Sequence, residues 1–118
     1  MSLRDMSLDD VLNVRPLSEP VLLILVSLAD EPRHGYAILQ DVEALSQGRV
    51  KLSTGTLYGA IRRLLEDEWI EPVDEAAAPR GRRAYRLTSE GREVLEAETE
   101  RMRSLARIAT ARLKPKLA

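Results

Sequence analysis

A chain of 118 residues with no cysteine and a single histidine, His34, excludes disulfide scaffolds, iron–sulfur centres, thiolate zinc sites and histidine-cluster metal sites. Hydrophobic residues make up 44% and charged residues 31%, the mark of a folded chain, and without phenylalanine the core must be aliphatic. The net charge of −1 conceals an alternation of −4 over residues 1–32, +3 over 33–63, −6 over 64–79, +4 over 80–92 and +2 over 93–118, and it is a local basic face, not bulk charge, that meets phosphate.

Residues 1–17 form an arm or short extra helix with a weak apolar pattern at Leu8, Val11 and Leu12, bounded by Arg15-Pro16. Ser18 is the expected N-cap of a first helix, with Pro20 tolerated in its first turn. Val21–Leu28 is apolar nearly all round and therefore predicted to be buried. Pro32 ends that element. A second helix is predicted over His34–Leu45, with Ile38, Leu39, Val42 and Leu45 on one side, stopped by Ser46-Gln47-Gly48. His34 is expected to be structural, bonding a nearby carbonyl or capping this helix.

Ser53 opens a third helix whose Leu57, Ile61, Leu64 and Leu65 form an amphipathic stripe. Its other face presents Thr56, Gly59, Arg62 and Arg63. The period then changes from 3.6 to 2. Trp69–Val73 reads as a short strand that Pro72 places at an edge. Asp74–Gly81 is a loop, and Arg82–Leu87 is the returning strand, with Arg82, Ala84 and Arg86 on one face and Arg83, Tyr85 and Leu87 on the other. Thr88 caps a last helix running to about Leu113, before Pro115.

Helix, helix, turn, helix, hairpin, helix is the order of a winged helix-turn-helix domain, mainly α with a small β-hairpin. Three parts are expected: the arm at 1–17, a winged-helix DNA-binding domain at 18–88 and a dimerisation helix at 89–118. The third helix would enter the major groove. Lys51, Ser53, Thr54 and Thr56 at its start offer amides and hydroxyls to phosphate, although Ser53 also suits plain capping. Tyr58 is either a core-edge residue or a phosphate donor. Arg62 and Arg63 suit groove or backbone contacts. Arg80, Arg82 and Arg83 sit on the wing, where arginine forks fit phosphate or the minor groove. On the last helix Leu95, Met102, Leu105, Ala106, Ala109 and Leu113 form one apolar stripe on a helix too long for its domain, so a second copy of the chain is the expected partner.

No nucleophile–base pair, carboxylate pair or glycine-rich phosphate loop is present, so no catalytic or metal site and no cofactor is expected. The longest apolar run, Val21–Val26, is far short of the ~20 residues that span a bilayer, so no membrane partner is expected, and the absence of cysteine fits a cytoplasmic location. A winged-helix module that binds only protein through the acidic block Glu66–Glu75, or a MarR-like or ArsR-like regulator, are the alternative readings.

The chain resembles the PadR family of bacterial transcriptional regulators over roughly residues 20–113. The resemblance rests on Leu22-Leu23-Ile24-Leu25, Pro32-Arg33-His34-Gly35-Tyr36, Gly55-Thr56-Leu57-Tyr58, and Arg82-Arg83-Ala84-Tyr85-Arg86-Leu87-Thr88 with Gly91-Arg92. One departure is Glu68, where the family usually has a glycine before the first wing strand. The resemblance implies a dimeric winged-helix repressor of the short subgroup, released from double-stranded DNA by a small aromatic effector, and the two-fold axis of such a dimer calls for a palindromic operator.

Overall fold

The structure, a computed structural model, describes residues 16–73 and 83–115. Helix α1 (Glu19–Ser27) starts at Ser18, whose hydroxyl accepts the Val21 amide at 3.4 Å, with Pro20 in the first turn. Ile24, Leu25 and Leu28 are fully buried. Ser27 is buried with them and donates its hydroxyl to the Ile24 carbonyl at 2.7 Å, so no polar atom is left orphaned.

A two-residue strand, β1 (Arg33–His34), follows. The sequence pattern predicts no such strand, because two residues carry no period and their partner lies far along the chain. Helix α2 (Gly35–Leu45) therefore begins one residue later than predicted. His34 occupies its N-cap position in extended conformation, without a side-chain bond to the helix amides. Ile38 and Val42 point into the core. At its end Gln47 and Gly48 both take positive φ, 54° and 80°. Their amides return to the Ala44 and Glu43 carbonyls at 3.0 and 2.8 Å, a Schellman closure that satisfies two terminal carbonyls.

Helix α3 (Thr54–Glu66) is capped by Ser53, which accepts the Thr56 amide at 3.1 Å. It buries Leu57, Ile61 and Leu64, the stripe read from the sequence. It ends in the same closure: Glu68 N–H bonds the Leu65 carbonyl at 3.1 Å and Trp69 N–H the Leu64 carbonyl at 3.0 Å. Here the left-handed residue is a glutamate, Glu68, at φ 62°. An L-residue is strained there, by about 1–2 kcal/mol, while glycine carries its own entropic disadvantage of about 0.5–1 kcal/mol. Glu68→Gly is therefore expected to stabilise the fold by about 0.5–1 kcal/mol. Urea unfolding of the two proteins checks this; a lower midpoint for the glycine variant would contradict it.

Strands β2 (Ile70–Pro72) and β3 (Ala84–Leu87) complete a three-stranded antiparallel sheet of order β1-β3-β2. Ile70 faces Leu87, Pro72 faces Tyr85, and on the other side Arg33 faces Tyr85. Pro72 lies on an edge strand, as its missing amide requires. The expected two-stranded hairpin is thus a three-stranded sheet. Ala84, assigned by alternation to the same face as exposed Arg86, is buried because β3 is the central strand.

Helix α4 (Ser89–Leu113) is capped by Thr88, which accepts the Gly91 amide at 3.0 Å and donates to the Glu68 carbonyl at 2.6 Å. Its first turn lies against the backbone just before β2: a Cβ at Gly91 would stand 1.9 Å from the Trp69 carbonyl oxygen. The core that α1, α2, α3, the sheet and the start of α4 enclose is aliphatic except for Tyr85. The three-helix core, the sheet as wing and the long final helix make a winged helix.

Candidate nucleic-acid interface

Helix α3 turns through 100° per residue, so burial of Leu57, Ile61 and Leu64 fixes where every other side chain goes. Gly55, Gly59, Arg62 and Glu66 lie directly opposite the core. Thr56 and Arg63 lie on one flank, Thr54 and Tyr58 on the other. The helix start is held together by its own side chains. Ser53 caps it, and the Ser53 hydroxyl donates to the Thr56 hydroxyl at 2.9 Å, leaving both exposed. Thr54 has no such bond. Lys51 is exposed with Nζ 3.7 Å from a Glu43 carboxylate, a contact too long and too solvated to immobilise it.

Tyr58 packs over the start of α2. Its hydroxyl lies 2.7 Å from where a Gly35 Cβ would be, so only glycine permits this approach. Tyr58 is thus a packing residue between α2 and α3 that keeps an exposed edge. Tyr85 lies behind it, and burial first, then the neighbouring Tyr58, pushes the Tyr85 phenol above its ordinary pKa.

The basic blocks divide once folded. Arg33 is absorbed locally: Nε donates to the Ser27 carbonyl at 2.7 Å, and Asp30, Glu31 and Asp41 lie within 3.4–3.8 Å. Arg49 pairs with Glu19 and Arg86 with Glu71 at 2.8 Å. Arg92 donates to the Ala29 carbonyl at 3.0 Å. Arg62, Arg63 and Arg83 are exposed and have no ion-pair partner among the described residues. Arg80 and Arg82 lie outside the described residues. One surface residue was passed over in the sequence: Tyr36, 68% exposed on the first turn of α2. Its position opposite Ile38 and Val42 on the helix wheel was the available signal.

The apolar stripe of α4 divides as well. Gly91, Leu95 and Glu98 are buried against the chain's own domain. Leu95, expected to face a partner, is a member of the domain core, because α4 docks on the sheet and α1 before it leaves them. The same helix face continues as Met102, Leu105, Ala106, Ala109 and Leu113, with nothing over it among the described residues. Met102, Leu105 and Leu113 are 44%, 52% and 81% exposed, and Ile108 broadens the patch.

Glu98 is the one buried carboxylate of this face. It accepts the Leu17 amide at 2.7 Å and pairs with Arg101, which fastens the segment before α1 to α4. The Arg101 hydrogen bond, helped by the Leu17 amide and opposed by burial, holds its carboxyl below the ordinary value of 4.5. A lowered folded-state pKa contributes stability that is complete above that value and is lost as pH falls through the folded pKa. Glu98→Gln should therefore remove part of the stability difference between neutral pH and the acid side of 4.5. Denaturant midpoints at both pH values measure it; an unchanged difference would sink the assignment.

No metal-ligand cluster and no helix long and apolar enough to cross a membrane occurs among the described residues.

Residues 24–97 match the transcriptional regulator PadR-like family. A transcriptional regulator of Mycobacterium tuberculosis, Rv3488, is 35% identical over 86 residues, covering 73% of this chain and 78% of that protein. An uncharacterized 37.1 kDa protein in a Streptomyces fradiae transposon is 43% identical over 86 residues, 72% of this chain but only 23% of that protein. This chain therefore spans less than a quarter of the length of the Streptomyces relative. Among solved structures, a PadR family transcription regulator from Clostridium difficile superposes with a TM-score of 0.65 at 25% identity, covering 82% of this chain and all of that one. A PadR family regulator from Eggerthella lenta superposes at 0.58 with 28% identity, covering 81% and 82%.

Proposed function

This chain belongs to the PadR-like family of transcriptional regulators, and we propose that it acts as a homodimeric repressor that binds a palindromic operator and is released by a small aromatic molecule. Membership of a regulator family sets it apart from enzymes. The observation that carries the reading is the surface of α3: its core face is fully occupied, while Thr54, Thr56 and Arg62 are exposed and no acid among the described residues neutralises Arg62 or Arg63. A helix of this kind beside a basic wing suits the major groove with phosphates on either side. The half of α4 that no described residue covers supports the dimer. A two-fold dimer presents two such helices, which favours a two-fold operator with half-sites about one helical turn apart or a multiple of it.

In this reading the wing positions and the helix reads. Arg80, Arg82 and Arg83 neutralise phosphate; Arg62, with Thr54 and Thr56, addresses bases. Arg82→Ala is expected to weaken binding to operator and scrambled DNA alike and to lower the slope of log affinity against log salt by roughly one. Arg62→Ala is expected to cost about 1–3 kcal/mol on the operator and to relax preference at one base position per half-site. Titrations across a salt series, with footprinting on a selected genomic fragment, make the comparison. An unchanged salt slope for Arg82→Ala, or protection of a single asymmetric half-site, would refute the arrangement.

A further inference from the structure

A groove of about 580 Å³ runs between the chain segment leading into α1 and the C-terminal half of α3. Its apolar walls are Leu17, Val21, Ala60, Leu64 and Trp69. Leu64 is buried at its floor, and the other four are half-buried, packed on the core from below and left open above by the described residues. Two charges stand at its rim one turn apart on α3, Arg63 and Asp67. Both are exposed and neither has an ion-pair partner among the described residues. Arg63 lies on the flank of α3, between the groove and the residues that point away from the core.

The chain itself leads into this groove. Pro16, the first described residue, is part of the wall. Leu17 is fixed beside it, because Glu98 accepts its amide at 2.7 Å. Residues 1–15 therefore set out from an anchored point at the mouth of the groove. Leu12 lies four residues upstream of Pro16 and Leu8 eight, which allows reaches of up to about 13 and 26 Å. A segment on so short a tether meets its own groove at an effective concentration of roughly millimolar, so modest contacts hold it there ahead of any second chain. It also matches the groove in kind. Leu8, Val11 and Leu12 are spaced i, i+3, i+4, the spacing of one helix face. Asp9 and Asp10 lie between them, and Arg15 directly precedes Pro16. The segment thus carries an apolar face, acids for Arg63 and a base for Asp67.

We propose that residues 1–15 fold back over this groove as an internal cover, with Leu8, Val11 and Leu12 on its apolar walls, the Asp9-Asp10 pair on Arg63 and Arg15 beside Asp67, and that this cover competes with DNA. An acid on Arg63 takes up a cation otherwise open to phosphate, and it brings carboxylates to the edge of the helix assigned to the major groove. Cover and DNA then exclude each other at Arg63, and each weakens the other by the same factor. The cover itself stands on the groove and the path of the chain; only its effect on DNA rests on the regulator reading.

The chain has no cysteine and one tryptophan, so engineered thiols and Trp69 fluorescence are both unambiguous reporters. In the full chain, Leu12→Cys is combined with Gly59→Cys, at a groove position where a Cβ meets nothing within 4 Å. A short bismaleimide is expected to join the two thiols within one chain, giving a product of monomer mass. A product that forms only between two chains, or no product, would overturn the cover. Leu8→Gln with Leu12→Gln changes no charge and touches none of the core. This double variant should roughly double the acrylamide quenching constant of Trp69, because the covered state empties. An unchanged constant would overturn the cover as well. The same variant should bind scrambled DNA at low salt about fivefold more tightly than wild type, and the gain should vanish when Arg63→Gln is added to both proteins. A gain that persists without Arg63, or no gain, would overturn the competition. Failure of every variant to bind DNA would sink the regulator reading alone, with the cross-link and the quenching still deciding the cover.

Discussion

Gly91→Ala is expected to lower the melting temperature by about 10 °C or more. A helix of average propensity would gain from alanine, by about 1 kcal/mol. Here the sign reverses because a Cβ at this position meets the Trp69 carbonyl oxygen at 1.9 Å and its carbonyl carbon at 2.8 Å. Both are backbone atoms, so no rotamer change relieves the overlap. The same carbonyl accepts the Thr88 amide, and Thr88 is the cap of α4. Pushing α4 off the Trp69 backbone therefore loosens the cap, the Leu95 contact and the wing entrance together, at a cost of about 3 kcal/mol. Calorimetry or thermal circular dichroism tests it. A melting temperature within a degree of wild type would mean that the two elements are not in contact as described. Gly59→Ala is the control, since a Cβ there meets nothing within 4 Å.

Met102→Asp is expected to convert a dimer into a monomer at tens of micromolar protein while leaving the fold intact. In the single chain Met102 is exposed beyond the end of the domain, so the substitution removes no core contact. In the proposed dimer the new carboxylate would be buried without a partner at the centre of the α4 face, which costs several kcal/mol. Operator affinity should fall by about a hundredfold, because two linked half-site contacts become one. Light scattering reports the mass and circular dichroism the fold. A wild-type monomer, or a variant that remains dimeric, would remove the basis of the two-fold operator.

What was legible in the sequence was whatever a single element declares by itself. The stripe of Leu57, Ile61 and Leu64, the caps at Ser18, Ser53 and Thr88, and the edge position of Pro72 are local signals, and the structure has each where expected. The family resemblance is matched over residues 24–97, which also sets aside the MarR-like and ArsR-like alternatives. What failed needed knowledge of neighbours. Strand β1 is defined by β3, not by its own two residues. Arg33 and Arg86 counted toward basic blocks, but Asp30, Glu31, Asp41 and Glu71 claim them. Leu95 and Met102 belong to one stripe, and only the extent of the folded domain decides that the first is core and the second is not. Nothing in the helical pattern marks Glu98, because no local signal shows that the Leu17 amide comes to meet it.

Helix α4 has no glycine or proline between Gly91 and Pro115, so the part seated in the winged-helix domain and the part that extends past it are one stiff rod. In a dimer such a rod acts as a lever arm. From Met102 back to Ser89 it reaches about 20 Å, and a tilt of roughly 10° where two copies cross would carry each α3 sideways by about 3–4 Å. That is comparable to the rise of one base pair, roughly 3.4 Å. Half-site spacing would then be set by the crossing angle of two rods and not by any contact in the reading heads. Inserting one residue into α4 between Glu98 and Met102 would turn each head by about 100° relative to its partner and should abolish operator recognition without touching a DNA-facing side chain.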